Sequence, residues 1–240
     1  LHRFVEYRAV FNRLYRQAKQ LKPSLIYVGG DVVHGKLDTS PEEVRMVSNF
    51  FLSLCKIAPT IVIPGNHDCN LNNKSREDTL SPIIDLVKKI DPRIHYWKKS
   101  GTYTYENVDF GVMSIYDRDD VGNQLTDKLP DPTKFTNEYK VALFHGGVDR
   151  HEYDGGMSVK DEHVQIETFK GYDLILLGDI HKRQFVDKDE RIGYPGSLIQ
   201  QNYAEEPSHG FLLWDLETKK AEYHNCLLYT SDAADDLTRV

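Results

Sequence analysis

Residues 60–68 read TIVIPGNHD, an apolar and β-branched run that ends abruptly in polar residues. The run Thr60–Ile63 has the composition of a short buried strand. A simple turn after that strand needs Gly65 and Asn66, but it has no use for the imidazole of His67 and the carboxylate of Asp68. The stretch therefore predicts a strand whose carboxyl end carries a functional loop.

Three further strand-like runs end in the same way. They are residues 25–28 before Gly30-Asp31, residues 141–144 before His145-Gly146-Gly147, and residues 173–177 before Gly178-Asp179-Ile180-His181. In open α/β folds ligands bind beyond the carboxyl ends of the strands, so we expect these side chains to meet at one edge of a sheet. Oxygen and imidazole ligands suit Mn, Fe or Zn without a thiolate. Together the four motifs predict the metal site of a hydrolase.

Composition and charge limit the class of protein. The 240 residues suffice for one large domain or two modest ones, and 40% hydrophobic residues support a packed core. No run of about 18 apolar residues predicts a membrane span. Three cysteines without metal-type spacing favour a reducing, cytoplasmic compartment. The formal charge of −7 counts against a nucleic-acid binder, although bound divalent ions change the local charge.

The order of the predicted elements indicates the fold class. Helical periodicity covers residues 4–21, Ser40-Pro41-Glu42-Glu43 reads as a capping box, and Ser81-Pro82 leads a helix that stops before Asp91. Short β-rich segments follow from residue 94, with one further helix predicted over residues 161–169. Strands that alternate with helices, followed by mixed β structure, predict an α/β sandwich of sheets flanked by helices.

Hydrolysis of a phosphodiester at neutral pH needs an activated water and neutralised phosphoryl oxygens, which two metals about 3.5–4 Å apart supply. Asp31 is the candidate for the carboxylate between the metals, and Asn66 offers a neutral amide oxygen. His67 is the candidate for a phosphate contact or general acid, with Asp68 as its hydrogen-bonding partner. Each residue alone also fits a structural role: a turn or cap for Asp31, or a core position for His145. Likewise, Asp179 and His181 also fit a turn Asp and a surface His.

The order of the four motifs resembles the calcineurin-like metallophosphoesterase superfamily. Within it, residues 194–202 (YPGSLIQQN) and 209–215 (HGFLLWD) resemble SbcD-type DNA repair exonucleases, especially phage-like versions. The resemblance covers roughly residues 1–225. It implies a four-layer α-β-β-α fold with two mixed sheets. It also implies two bound divalent metal ions, for which Mn²⁺ is the leading candidate and Mg²⁺ or Fe²⁺ are the alternatives. It also implies DNA ends as substrate, an SbcC-like ATPase partner, a homodimer, and the cytoplasm of a bacterium or phage-infected cell.

The resemblance also implies roles residue by residue. Asp31 would bridge the metals, His181 would bind the first, and His67, assisted by Asp68, would protonate the leaving oxygen. Asp179 stands where the family usually has a His. The ligands implied for the second metal are Asn66, His145 and Asp179. Three basic residues beside the motifs are candidates for phosphate contacts: Arg150, Lys182 and Arg183.

A second departure from the family pattern concerns the ligands of the first metal. No strand-end Asp-x-His motif precedes Gly30-Asp31, so we expect the first metal to keep only Asp31 and His181 and the chain to be weakly active. Residues 226–240 resemble a translated sequencing adapter, which predicts a phosphoesterase domain over 1–225 and a non-native tail over 226–240.

Two functions are alternatives to a DNA nuclease. One is a phosphoesterase for small phosphoesters or cyclic nucleotides, and the other is a non-catalytic subunit that binds DNA ends or a partner.

Overall fold

The computed structural model describes residues 2–35, 39–153, 163–201, 205–206 and 208–226. The α-helices in this part of the chain are α1 (His2–Leu21), α2 (Pro41–Cys55) and α3 (Leu80–Ile90). The 3₁₀-helices are η1 (Thr126–Lys128), η2 (Pro132–Lys134) and η3 (Ile166–Phe169). The strands are β1 (Ile26–Val28), β2 (Thr60–Val62), β3 (Ile94–Tyr96), β4 (Gly101–Tyr105), β5 (Val108–Met113), β6 (Tyr139–His145), β7 (Leu174–Gly178), β8 (Gln184–Phe185), β9 (Ile192–Tyr194), β10 (Gly210–Asp215) and β11 (Lys220–Asn225).

The strands form two principal sheets and a hairpin. The first sheet has the order β1-β2-β3 and is parallel, with Tyr27 opposite Ile61 and Ile61 opposite His95. The second has the order β4-β5-β6-β7-β9-β8, with parallel central strands and antiparallel edge strands. Strands β10 and β11 pair as an antiparallel hairpin. Of the two predicted mixed sheets, only the six-stranded one is mixed within the described residues.

The alternation of side chains along the strands builds the layers. Ile61 of β2 lies in a buried cluster between the sheets, with Val112 and Leu143 of the second sheet. Val62, the next residue, faces the opposite way into a cluster formed with the three α-helices, which includes Phe51. Helices therefore cover one face of the first sheet, and the second sheet covers the other. The predicted α/β class is confirmed, with α-helices on the outer face of the first sheet.

Local signals place α2 and α3 where the sequence predicts them. The Ser40 hydroxyl accepts a hydrogen bond from the Glu43 N–H at 3.2 Å, and Pro41 occupies the first turn. Helix α3 ends at Ile90, before Asp91, as predicted. The first boundary follows from capping chemistry. The second follows from Pro92, because the residue before a proline disfavours the helical conformation and Asp91 is extended.

The helix predicted over residues 161–169 is wrong in the part that the structure describes. Residues 154–162 lie outside the described part, and Ile166–Phe169 form a single 3₁₀ turn. The Asp149 carboxylate accepts the Ile166 N–H at 2.6 Å, and the Asp149 N–H donates to the Val164 carbonyl at 2.9 Å. These bonds tie the segment to the loop after β6. Among the described residues, loops and 3₁₀ turns cover the outer face of the second sheet, instead of an α-helical layer.

Neither α1 nor the other two helices in the described ranges has the length and apolarity needed to cross a membrane. The predicted non-native tail falls almost wholly on residues 227–240, outside the described residues. Its first residue, Cys226, is buried and donates its N–H to the His209 carbonyl at 2.7 Å.

Candidate metal centre

Four of the predicted ligands meet where the two sheets come together. Asp31 follows β1, Asn66 follows β2, His145 is the last residue of β6, and Asp179 follows β7. One ligand atom each from Asp31, His145 and Asp179 lie within 4.8 Å of one another. His145 is paired in register with Gly178, so β6 and β7 deliver their ligands side by side. The carboxyl ends of strands from both sheets thus contribute to one group, whereas the sequence predicted the edge of a single sheet.

His145 lies at the centre of this group and is 1% exposed. Its Nδ1 is 2.5 Å from the Gly29 carbonyl oxygen, which can only accept, so Nδ1 carries a proton. Its Nε2 is 3.3 Å from Asp31 Oδ2 and 3.6 Å from Asp179 Oδ1. Burial lowers the pKa of His145, but the hydrogen bonds and negative charges of Asp179 and Asp31 outweigh it and raise the pKa to about 10.

The side chain of Asn66 lies among hydrogen-bond acceptors of the ligand group. Its amide oxygen lies 3.0 Å from His145 Nε2, facing acceptor atoms. Turned over, its NH₂ would donate to the Asp31 carboxylate at 3.1 and 3.2 Å, and to His145 Nε2 at 3.0 Å when that nitrogen is unprotonated, as it is in an imidazole that binds a metal. Two carboxylates, an amide and an imidazole therefore converge on one place. This donor set fits a divalent cation of the Mn, Fe or Zn type, which would satisfy all four groups at once.

Asp68 braces the loops beneath these ligands. Its carboxylate is fully buried and accepts the backbone N–H groups of Asp31 (2.7 Å) and Gly65 (2.8 Å), together with those of Val32 (2.9 Å) and Val33 (3.1 Å). Burial raises its pKa to about 6, although the backbone hydrogen bonds lower it. This differs from the expected hydrogen bond between Asp68 and His67, because both oxygens are committed to the backbone. Asp68 acts on the site through Asp31 and the loop of Gly65.

The backbone at the ligands is unusual in two respects. Asp31 has φ +55° and Asp179 has φ +90°, in the left-handed region that non-glycine residues rarely adopt. A Cβ on Gly65 would lie 2.2 Å from Asp31 Oδ1 and 2.7 Å from His145 Cε1, so only glycine admits these side chains. The sequence pattern Gly-Asp and Gly-Asn-His-Asp therefore has a steric cause as well as a chemical one.

His67 stands beside the group and has a partner that sequence reasoning missed. Its N–H donates to Asp31 Oδ1 at 2.8 Å, and its ring stacks on His34 with centroids 5.0 Å apart and planes 16° apart. Nδ1 of His67 lies 3.3 Å from the His34 carbonyl oxygen, which leaves Nε2 as the ring atom pointing away from that contact. The feature of the sequence that pointed to His34 was its position three residues after Asp31, in the same loop.

His181 is not part of the three-residue group. In an extended backbone, two residues that lie two positions apart share a face, but the positive φ of Asp179 interrupts the extended conformation before His181. Nδ1 of His181 lies 2.8 Å from Glu205 Oε1, and its side chain is 45% exposed. Its role as a ligand of the first metal stays a prediction.

The three predicted phosphate contacts are each engaged within the chain. Arg150 pairs with Asp149 at 3.2 Å and with Glu167 at 3.1 Å. Lys182 Nζ is 2.6 Å from a carboxylate oxygen of Glu152, and the Arg183 guanidinium lies 3.8 Å from the centroid of the Tyr223 ring. A phosphate would compete with those partners, so their binding role also stays a prediction.

Comparison with known proteins agrees with this geometry. The family described as Calcineurin-like phosphoesterase matches residues 1–183, a span that includes Asp31, Asn66, His145 and Asp179. A solved crystal structure that is 11% identical superposes with a TM-score of 0.59, over 90% of this chain and 93% of its own. At that identity the superposition shows a shared fold.

Two viral proteins are similar in sequence. "Uncharacterized protein R555" of Acanthamoeba polyphaga mimivirus is 44% identical over 227 residues, which are 92% of this chain and 17% of that protein. "Putative phosphoesterase 244L" of Invertebrate iridescent virus 6 is 25% identical over 203 residues, 78% of this chain and 62% of that protein. The chain thus spans less than two thirds of the length of either relative.

Proposed function

The chain belongs to the calcineurin-like phosphoesterase family, and from that membership we propose that it hydrolyses phosphodiester bonds at DNA ends with the help of divalent metal ions. In this proposal it is the nuclease subunit of a repair or recombination complex, working as a homodimer with an SbcC-like ATPase. The observation that carries the hydrolytic part is the convergence of Asp31, Asn66, His145 and Asp179 beside His67.

The residues of the metal centre would have different roles. Asp31, Asn66, His145 and Asp179 would hold a divalent ion, with His181 as the ligand expected for a second one. Bound metal supplies Lewis-acid polarisation of the phosphoryl oxygens and an activated water. Mn²⁺ is the proposed ion, and Mg²⁺ and Fe²⁺ are compatible with the same oxygen-rich donor set.

His67 is the proposed proton donor. Its Nδ1 sits at the His34 carbonyl, and its backbone is held by Asp31, so the ring has a defined orientation. Nε2 is then the atom that would hold a proton toward the leaving oxygen or contact a phosphate oxygen. Stacking on His34 restricts rotation of the ring. Asp68 contributes by fixing the loop of Asp31, without contacting the substrate.

Two features support DNA over a small ester. Residues 194–202 and 209–215 resemble SbcD-type nucleases, as noted from the sequence. Helix α1 carries five cationic side chains and a single acid, although the whole chain has a formal charge of −7. Arg8 and Lys19 of that helix are exposed. A basic surface on an acidic protein is an electrostatic footprint suited to a phosphate backbone.

The test compares substrates with one preparation of the full chain at millimolar Mn²⁺. Linear duplex DNA, a chromogenic phosphodiester and a chromogenic phosphomonoester are offered to the chain and to its His67→Ala and His163→Ala variants. We expect slow DNA degradation, in keeping with the incomplete first metal site predicted from the sequence. His67→Ala should reduce its rate about 10²–10⁴-fold, and His163→Ala, which changes an exposed histidine outside the ligand group, should leave it intact.

Two other outcomes would overturn the DNA proposal. Hydrolysis of the chromogenic esters with intact DNA would identify a small-substrate phosphoesterase. Binding of DNA ends without hydrolysis of any substrate would identify a non-catalytic subunit.

A further inference from the structure

We propose that Glu205 is a positioning residue for His181: its carboxylate holds the imidazole with Nδ1 protonated, so that Nε2 is presented to a ligand. This rests on the proposed function, because it deepens the role of a predicted metal ligand. Glu205 lies outside the stretch matched by the family, residues 1–183. Its contacts, and those of the segment that carries it, support the assignment.

Glu205 is a buried carboxylate with a defined partner on each oxygen. Its side chain is 1% exposed, whereas that of His181 is 45% exposed. Oε1 lies 2.8 Å from His181 Nδ1, and Oε2 accepts the Gln201 N–H at 2.7 Å. Since a carboxylate accepts hydrogen bonds, the imidazole must donate from Nδ1. The unprotonated nitrogen of the neutral ring is then Nε2, the atom on the opposite side.

His209 backs the same carboxylate. It is buried, and its Nε2, which finds no hydrogen-bond partner, lies 3.6 Å from Glu205 Oε2. Nδ1 of His209 is 2.9 Å from the Ser197 hydroxyl and 3.0 Å from the Ser197 carbonyl oxygen. The carboxylate thus stands between two imidazoles, one exposed and one buried. The buried one is itself held to Ser197, in the loop after β9.

The backbone of the same segment holds His181 from the other side. The Ser197 N–H donates to the His181 carbonyl at 3.1 Å, and a Cβ on Gly196, which has φ +79°, would lie 2.6 Å from that oxygen. Gly196 and Ser197 therefore fix the main chain of His181, and Glu205 fixes its ring. This explains physically why the YPGSLIQQN and HGF stretches accompany the metal motifs in one chain.

A structural alternative assigns Glu205 only to the Gln201 N–H, with the contact to His181 incidental. The two alternatives differ in what the ring of His181 does when Glu205 is changed. An exposed imidazole without a partner rotates and exchanges tautomers, and loss of such an outer carboxylate typically lowers metal affinity about 10–100-fold.

The experiment compares Glu205→Ala and Glu205→Gln with Glu206→Gln, the neighbouring exposed acid, in the full chain. The ring ¹⁵N shifts of His181 are recorded in the metal-free protein and assigned by the peak that disappears in His181→Ala. Binding of Mn²⁺ alone is measured by calorimetry, and thermal unfolding reports the fold. Glutamine retains an acceptor oxygen, so Glu205→Gln serves as the conservative rescue and as the variant most certain to fold.

We expect His181 of the wild type and of Glu206→Gln to be protonated at Nδ1, and that of Glu205→Ala to shift toward the Nε2-protonated form. Mn²⁺ affinity should fall about 10–100-fold in Glu205→Ala, less in Glu205→Gln, and remain unchanged in Glu206→Gln. An unchanged tautomer in Glu205→Ala, with Mn²⁺ affinity within about twofold of wild type, would overturn the proposal. If the alanine variant does not fold, an Nε2-protonated His181 in the wild type would overturn it. Failure of the wild type to bind Mn²⁺ would instead count against the proposed function, and the ¹⁵N shifts would still decide the role of Glu205.

Discussion

Asp31 and Asp68 brace one another's loops: Asp68 Oδ2 accepts the Asp31 N–H at 2.7 Å, while Asp31 Oδ1 accepts the N–H of His67, the neighbour of Asp68, at 2.8 Å. Hydrogen bonds therefore run in both directions between the loop after β1 and the loop after β2. A ligand residue and a buried carboxylate therefore share one network, and changing either should affect both stability and metal binding.

Asp68→Ala should lower both the stability and the Mn²⁺ affinity of the chain. The substitution leaves four backbone N–H groups, those of residues 31, 32, 33 and 65, without their acceptor, at about 1–3 kcal/mol for each that stays buried. Urea unfolding and calorimetric titration with Mn²⁺ measure the two effects. Asp85→Ala, an exposed acid on α3, is the matched control. Equal stability of the two variants would contradict the bracing role.

Asp179→His should change the metal preference of the centre. An imidazole in place of the carboxylate removes a negative charge and a hard oxygen ligand beside His145, where Asp179 Oδ1 now lies 3.6 Å from Nε2. We expect affinity for Mg²⁺ to fall relative to Zn²⁺, because imidazole suits zinc and carboxylate suits magnesium. Competition titrations of Mg²⁺, Mn²⁺ and Zn²⁺ measure the ratio. The exposed Asp189→His should leave it unchanged, and an unaltered ratio in Asp179→His would remove Asp179 from the ligand set.

His67→Ala should reduce turnover without reducing metal affinity. Its ring is proposed to hold a proton and does not belong to the group of Asp31, His145 and Asp179. Loss of a general acid typically costs about 10²–10⁴-fold in rate. His34→Ala should have a smaller effect, because it removes only the ring stacked on His67. Initial rates on the preferred substrate, with Mn²⁺ titrations on the same samples, separate these effects. A parallel loss of Mn²⁺ binding in His67→Ala would contradict the assignment.

The exposed basic residues Arg8 and Lys19 of α1 should contribute to DNA affinity. In the double variant Arg8→Glu with Lys19→Glu, we expect weaker binding of duplex DNA and a salt dependence reduced by about 0.9 in slope for each phosphate that the variant no longer neutralises. Binding is measured between about 50 and 200 mM salt. The control is Lys88→Glu with Lys89→Glu, the same charge change on the exposed end of α3. Equal weakening by both pairs would mean that net charge alone matters.

Asp109 should govern the acid stability of the second sheet. Burial raises its pKa, but hydrogen bonds from Asn137, Thr104 and Thr136 outweigh it and lower the pKa to about 2. A depressed pKa means stability that is present above the unfolded value, about 3.9, and lost as the pH falls toward about 2. Asp109→Asn should therefore reduce stability at about pH 6 and flatten its decline between about pH 4 and pH 2. Urea unfolding across that range measures the slope, and an unchanged slope would exclude Asp109 as its source.

The parts of the fold that follow from local chemistry were predictable. The Ser40 hydroxyl caps α2 by accepting the Glu43 N–H within one turn, and Gly29 stands where β1 stops. The predicted helix over 161–169 failed because a distant residue, Asp149, captures the Ile166 N–H. Local propensity has no access to such a partner.

Sequence alone determined which side chains are available at the strand ends, because apolar runs predict strands and parallel strands present their carboxyl ends together. It thereby selected a single set of candidate ligands: Asp31, Asn66, His145, Asp179 and His181. Only the tertiary structure decided that Asp68 serves the backbone, that His34 stacks on His67, and that Glu205 reaches His181. Each of these relationships joins segments that follow neighbouring strands of one sheet, β1 and β2 or β7 and β9, and that lie far apart along the chain. A hydrogen bond or ring contact depends on shifts of less than an ångström, which spacing along a chain does not specify.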